Sequence, residues 1–196
     1  MNLTITGNLG SGKSTICKIL KNKGYTVISA GQIFRDIAKE KGIDVNALNS
    51  KINENLKREH DIDSLIDQRT EKAGKELDNV VFDSRLAWHF VPDSFKVFIS
   101  VDINEAAERV FRDSERKSEK YKSVDDAREH LVKRANMEEI RYHELYGLNY
   151  FDKNNYDLIV DSTKRTPEQI ADTILAEWKN AQKRYSTTPK LKLRRL

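Results

Sequence analysis

The chain has 196 residues, 38% apolar and 34% charged, which suits one α/β domain large enough to bury a core. No run approaches the roughly 18 apolar residues of a membrane span, and the chain enters a strand pattern with no signal-peptide pattern before it. A membrane partner is therefore not expected, and a single cysteine, Cys17, excludes an internal disulfide framework and fits a cytoplasmic setting.

The net charge of +4 misleads until it is placed along the chain. Lys183, Arg184, Lys190, Lys192, Arg194 and Arg195 carry positive charge with no acid among them, leaving 29 basic against 31 acidic residues elsewhere. Residues 184–196 read as a basic C-terminal tail beyond a domain spanning 1–183. Nucleic acid is not an expected partner, although such a tail leaves that open. His60, His89, His130 and His143 have no metal-ligand spacing, and Cys17 reads as a small core residue on a helix.

In chain order, Asn2 to Thr6 is a short β-branched strand. It runs into Gly7-Asn8-Leu9-Gly10-Ser11-Gly12-Lys13-Ser14, which fits the phosphate-loop pattern G-x-x-x-x-G-K-S/T at every fixed position. Glycine tolerates the positive φ that turns backbone N-H groups inward, and the helix that follows adds its positive end. Gly7 to Thr15 are thus expected to bind the phosphates of ATP, with Lys13 reaching the β- and γ-phosphates and Ser14 a ligand to Mg²⁺. Ile16, Ile19 and Leu20 give the helix its apolar face, and Gly24 stops it.

Tyr25 to Ser29 is a second strand ending in Ala30-Gly31, and a helix follows from Ile33 to Lys41. From Asp44 to about Leu77 the chain is charged and mostly helical, so about 36–78 reads as a helical insert between the second and third strands. Asn79 to Asp83 is an apolar run ending in an acid, the pattern of a central parallel strand. Asp83 then either positions Mg²⁺ beside the phosphate loop or simply caps its strand. Phe95 to Val101 is a fourth strand and Tyr156 to Asp161 a fifth. Between them lies a helical stretch rich in arginine, including Arg109, Arg112, Arg116, Arg128, Arg134 and Arg141. A lid over about 109–150 would place arginines on the charge of a transferring phosphoryl group. Pro167 opens a last helix whose buried face is Ile170, Ile174, Leu175 and Trp178. Five strands alternating with helices imply a five-stranded parallel sheet with helices on both faces.

From residue 2 to about 180 the chain resembles a cytidylate kinase of the compact form, within the phosphate-loop nucleoside-monophosphate kinases. The resemblance is carried by GNLGSGKST, ISAGQIFRDIA, IDSLIDQR at 62–69, FDSRLAW at 82–88, Arg134, Arg141-Tyr142 and YDLIVDST at 156–163. It implies a kinase fold with helical acceptor-binding and lid inserts, MgATP as donor, and a pyrimidine monophosphate, CMP or dCMP, as acceptor. It further implies that Arg35 and Arg85 bind the acceptor phosphate, and that Arg134 and Arg141 close over both sets of phosphates as catalytic groups beside Lys13. Relatives commonly have Gly-Arg at Ser84-Arg85 and Leu-Ala-Gly at Leu86-Ala87-Trp88, and the longer bacterial form has an Asp at Leu86 that helps read the cytosine amino group. Asp63 and Asp67, one helical turn apart, are placed either to accept from that amino group or to pair with Arg58 or Arg69 on the surface. A phosphotransferase for another small acceptor and a non-catalytic nucleotide-binding module are the alternatives. No N-K-x-D or D-x-x-G pair supports a switch GTPase.

Overall fold

The innermost strand is the one that carries the loop. In the computed structural model, which describes residues 1–44, 56–113 and 121–187, β1 (Leu3–Gly7) is buried at every position. Parallel neighbours flank it, β3 (Val81–Asp83) on one side and β4 (Phe95–Ser100) on the other. Adding β2 (Val27–Ser29) outside β3 and β5 (Leu158–Asp161) outside β4 completes the order β2-β3-β1-β4-β5, all parallel. The expected five-stranded parallel sheet is present, with β2, β3 and β5 starting two residues later than the sequence pattern suggested, β1 shifted by one residue and β4 ending one residue earlier.

Period-two alternation sends the two faces of β1 to different tasks. Leu3 and Ile5 join Val97, Ile99, Ile16, Leu20 and the last helix, α7 (Pro167–Thr187), in the main core. That helix buries Ile170, Ile174, Leu175 and Trp178 as expected, and Cys17 of α1 (Lys13–Asn22) is buried with them. The opposite face of β1 carries hydroxyls: Thr4 meets Ser94, and the Thr6 hydroxyl donates to the carbonyls of Ser84 and Arg85 at 3.1 and 3.3 Å. Thr6 therefore pins the turn that presents Arg85.

Ser29 is the N-cap of α2 (Ala30–Glu40), its side chain accepting from the Gln32 N-H. Ala30 and Gly31 are accordingly the first turn of that helix rather than the end of a strand. α3 (Leu56–Glu76) packs Ile62 against Ile33 and Ile37 of α2. A short helix, α4 (Ala87–Phe90), has no counterpart in the sequence reading; it buries Trp88 in an aromatic cluster with Phe98, Tyr142 and Tyr150. Asp102 caps α5 (Ile103–Arg112), and Ser123 caps α6 (Val124–Tyr146), which ends at Gly147 with φ 66°. α7 continues to Thr187, through the first residues assigned to the tail, while 188–196 and Arg116 lie outside the described residues. No described helix is long and apolar enough to cross a membrane.

Candidate active site

The loop after β1 is built almost entirely from backbone. Gly7 lies so close to β4 that a Cβ there would stand 2.4 Å from the Ile99 carbonyl oxygen. Gly10, at φ +75°, packs against α5, where a Cβ would come within 2.9 Å of the Ala106 Cβ. Gly12, at φ 80°, is the N-cap of α1 and supplies no side-chain hydrogen bond, unlike the capped starts of α2, α5 and α6. The first N-H groups of α1 thus face outward at the positive end of the helix, the arrangement that receives an anion. Ser11 Oγ is buried without a hydrogen-bond partner among the described residues.

A cavity of about 520 Å³ opens over this loop, lined by Asn8 to Ile16 together with Arg109 and Arg165. Arg109 is held there by the Ser162 and Thr163 carbonyls, at 2.7 and 3.2 Å, and by Glu105. A second cavity, of about 820 Å³, lies between α2, α3, α6 and the end of β3, and Arg35, Asp63, Asp67, Asp83, Arg85 and Arg141 all line it. Lys13, Ser14, Arg85 and Arg134 line both cavities and so mark their junction. Of the residues expected to bind ATP, the acceptor or Mg²⁺, Gly7 alone lines neither cavity, lying behind the loop against β4.

Ion pairs hold the junction. Lys13 Nζ rests 3.1 Å from Asp83 Oδ1, with side chains only 15% and 13% exposed. Arg85 Nε donates to Glu138 Oε2 at 2.9 Å, again with both side chains largely buried, at 16% and 14% exposure. Arg134 Nε donates to the other oxygen, Oε1, at 3.1 Å, and the Tyr150 hydroxyl donates to Oε2 at 3.3 Å. Burial pulls the Glu138 carboxyl up, but Arg85 and then Arg134 outweigh it and hold it below the usual carboxylate range.

The far wall of the larger cavity is acidic and phenolic. Arg141 Nε lies 3.6 Å from Asp63 Oδ2, and the Tyr146 hydroxyl donates to Asp67 Oδ2 at 2.5 Å. Burial pushes the Asp67 carboxyl up to about 6, with Asp63 adding to the shift and Tyr146 and Arg141 opposing it. Pairing with Arg69, one of the uses open from the sequence, does not occur: Arg69 pairs with Glu40 on the surface. The arginine-rich stretch divides in the same way. Arg134 and Arg141 face the larger cavity, whereas Arg112 and Arg128 pair with Glu108 and Asp125 on exposed helix faces.

Glu138, Tyr146 and Arg165 were missed in the sequence, and Arg109 was named there only as one arginine of the expected lid. Glu138 and Tyr146 belong to no motif read from the sequence, although Arg134, Glu138, Arg141 and Tyr142 follow helical spacing along one face.

The model of the cytidylate kinase-like family matches residues 2–164. The chain belongs to that family. A cytidylate kinase of Methanobrevibacter smithii is 31% identical over 180 residues, covering 91% of this chain and 99% of the relative, and one of Pyrococcus abyssi is 34% identical over 170 residues, covering 86% and 88%. Among solved structures, the shikimate kinase of Aquifex aeolicus is similar in fold at TM-score 0.55 and 17% identity, over 93% of this chain and 98% of that one. The cytidylate kinase-like family thus accounts for nearly the whole described domain, and the parallel sheet with its phosphate loop is that of a phosphate-loop kinase.

Proposed function

We propose that the chain transfers the γ-phosphoryl group of MgATP to a pyrimidine nucleoside monophosphate, CMP or dCMP. The observation that carries this reading is the junction: Lys13, Ser14, Arg85 and Arg134 each line both cavities, so a donor over the loop and an acceptor between α2 and α3 would meet among cations. Phosphoryl transfer needs little covalent help and depends on positioning and electrostatic stabilisation, which these groups supply. The backbone of Asn8 to Thr15 holds the ATP phosphates, while Lys13 leaves Asp83 for the β- and γ-oxygens as nucleotide enters. Arg35 and Arg85 take the acceptor phosphate, Arg134 covers the transferring group from the lid, and Arg141, which lines only the larger cavity, covers the acceptor.

Ser14 and Asp83 fit Mg²⁺. The described residues hold no cluster of three His, Cys, Asp or Glu ligands, and a hydroxyl plus one carboxylate, completed by phosphate oxygens and water, is the donor set Mg²⁺ accepts. When bound, the ion neutralises charge on the β- and γ-oxygens.

Asp63 and Asp67 are proposed to read the base. Cytosine presents an amino donor at its 4-position where uracil presents an acceptor, and an acidic wall favours the donor. Purified protein with MgATP and a panel of CMP, dCMP, UMP, AMP, GMP, dephospho-CoA and shikimate, followed by ADP release, tests the reading. CMP and dCMP should be turned over best, and Asp63→Asn or Asp67→Asn should narrow the CMP-to-UMP ratio. Absence of turnover with every pyrimidine monophosphate would overturn it.

A further inference from the structure

Two arginines placed side by side repel each other, and an isolated pair of guanidinium groups at a cavity junction would splay toward solvent. Here one carboxylate prevents that. Glu138 receives Arg85 on one oxygen and Arg134 on the other, and Tyr150 steadies the oxygen that Arg85 uses. Both arginines approach through Nε. A guanidinium has five N-H donors in a fixed fork, so a carboxylate that accepts from Nε fixes the direction of the whole planar group, and both side chains line the two cavities.

The position of Glu138 in the fold adds a second link. It lies on α6, one turn beyond Arg134, whereas Arg85 follows β3 on a turn tied to β1 by the Thr6 hydroxyl. The contact therefore joins the helix of the expected lid to the sheet that carries the loop, across 53 residues of sequence.

We propose that Glu138 is a positioning residue for phosphoryl transfer: its carboxylate holds Arg85 and Arg134 as one pair at the junction of the two cavities. It lines the larger cavity beside them, and its effect on transfer runs through the two arginines. This rests on the phosphotransferase reading above.

Glu138→Gln keeps size and one acceptor oxygen but replaces the other with an amide that cannot accept from an arginine. Misplacing reacting partners by about 1 Å costs on the order of 10²-fold, so kcat should fall about 10- to 100-fold. The KM for ATP should stay within about threefold, because the loop backbone that binds the donor phosphates is untouched. Glu138→Asp, which retains the charge on a shorter arm, should recover part of the loss. Thermal melting of each variant reports any purely structural damage.

The deciding measurement is a double-mutant cycle on kcat with the acceptor that the wild type turns over best. If Glu138 works through Arg134 as well as Arg85, the loss in the double variant should be smaller than the product of the two single losses by about threefold or more. Additive losses, or Glu138→Gln with wild-type kcat and only a lowered melting temperature, overturn the proposal while the wild-type activity still stands. A wild type that turns over no acceptor at all fails the phosphotransferase reading, and this inference falls with it.

Discussion

The two walls of this site are made from different materials. The phosphate loop is shaped mainly by its backbone, set by glycines at 7, 10 and 12 and by β4 and α5 pressed against them. Around the larger cavity they are side chains drawn from α2, α3, α6 and the turn after β3, and charge pairs hold them in place. A backbone-built site keeps its shape when one side chain is lost. A site built from paired charges does not, because removing one partner strands the other in a place with little water.

Arg85→Ala should be the harshest test of that contrast. It leaves the nearly buried Glu138 carboxylate without its closest cation, so stability should fall by about 3–5 kcal/mol in chemical denaturation, with transfer activity lost as well. Lys13→Ala should remove turnover by about 10²- to 10³-fold, yet cost no more than about 2 kcal/mol of stability, the scale of leaving Asp83 short of one partner. If Lys13→Ala proved as destabilising as Arg85→Ala, the donor side would be no more self-supporting than the acceptor side.

A smaller effect follows from Asp67, whose carboxyl is pushed up to about 6 chiefly by burial. A folded-state value above the unfolded one favours the fold while the group is protonated, and that contribution is fully present below about pH 4 and lost as pH rises through about 6. Asp67→Asn keeps an acceptor for Tyr146 and removes the titration. The variant should therefore gain on the wild type between pH 4 and 7, by on the order of 1 kcal/mol once residual solvent is allowed for. Parallel melting curves for the two proteins across that range would show instead that the acidic wall is relaxed by solvent.

The same division explains what could be read from the chain. The loop was legible because its glycines, Lys13 and Ser14 occupy adjacent positions between a strand pattern and a helix pattern, and the sheet was legible from five apolar runs. The acceptor wall was legible only as a set of residues. Asp67 and Tyr146 lie 79 residues apart, and Arg85 and Glu138 lie 53 apart. A contact between two charged helix faces has no periodicity to announce it, so Asp63 and Asp67 looked equally fit for surface pairing, and Glu138 looked like any exposed glutamate. Trp88 was visible as a departure from relatives, but its burial beside Tyr156 depends on α4, a helix of one turn with no sequence signal. The last helix ran past 183 because its backbone pattern continues into the basic stretch, which charge alone had marked as tail.

The central claim is that Arg134 stands at the junction of the cavities while Arg141 belongs to the larger cavity alone. It is tested most directly by measuring kcat together with the Kd of ATP and of CMP, each alone, in Arg134→Ala and Arg141→Ala. Arg134→Ala should lower kcat by about 10²-fold while each Kd stays within about threefold, because its contacts matter most when charge spreads over the transferring group. Arg141→Ala should weaken CMP by about tenfold or more and leave ATP unchanged, since it lies on the wall with Asp63. Weakened ATP binding in Arg141→Ala, or an undiminished kcat in Arg134→Ala, would contradict the assignment of the two cavities.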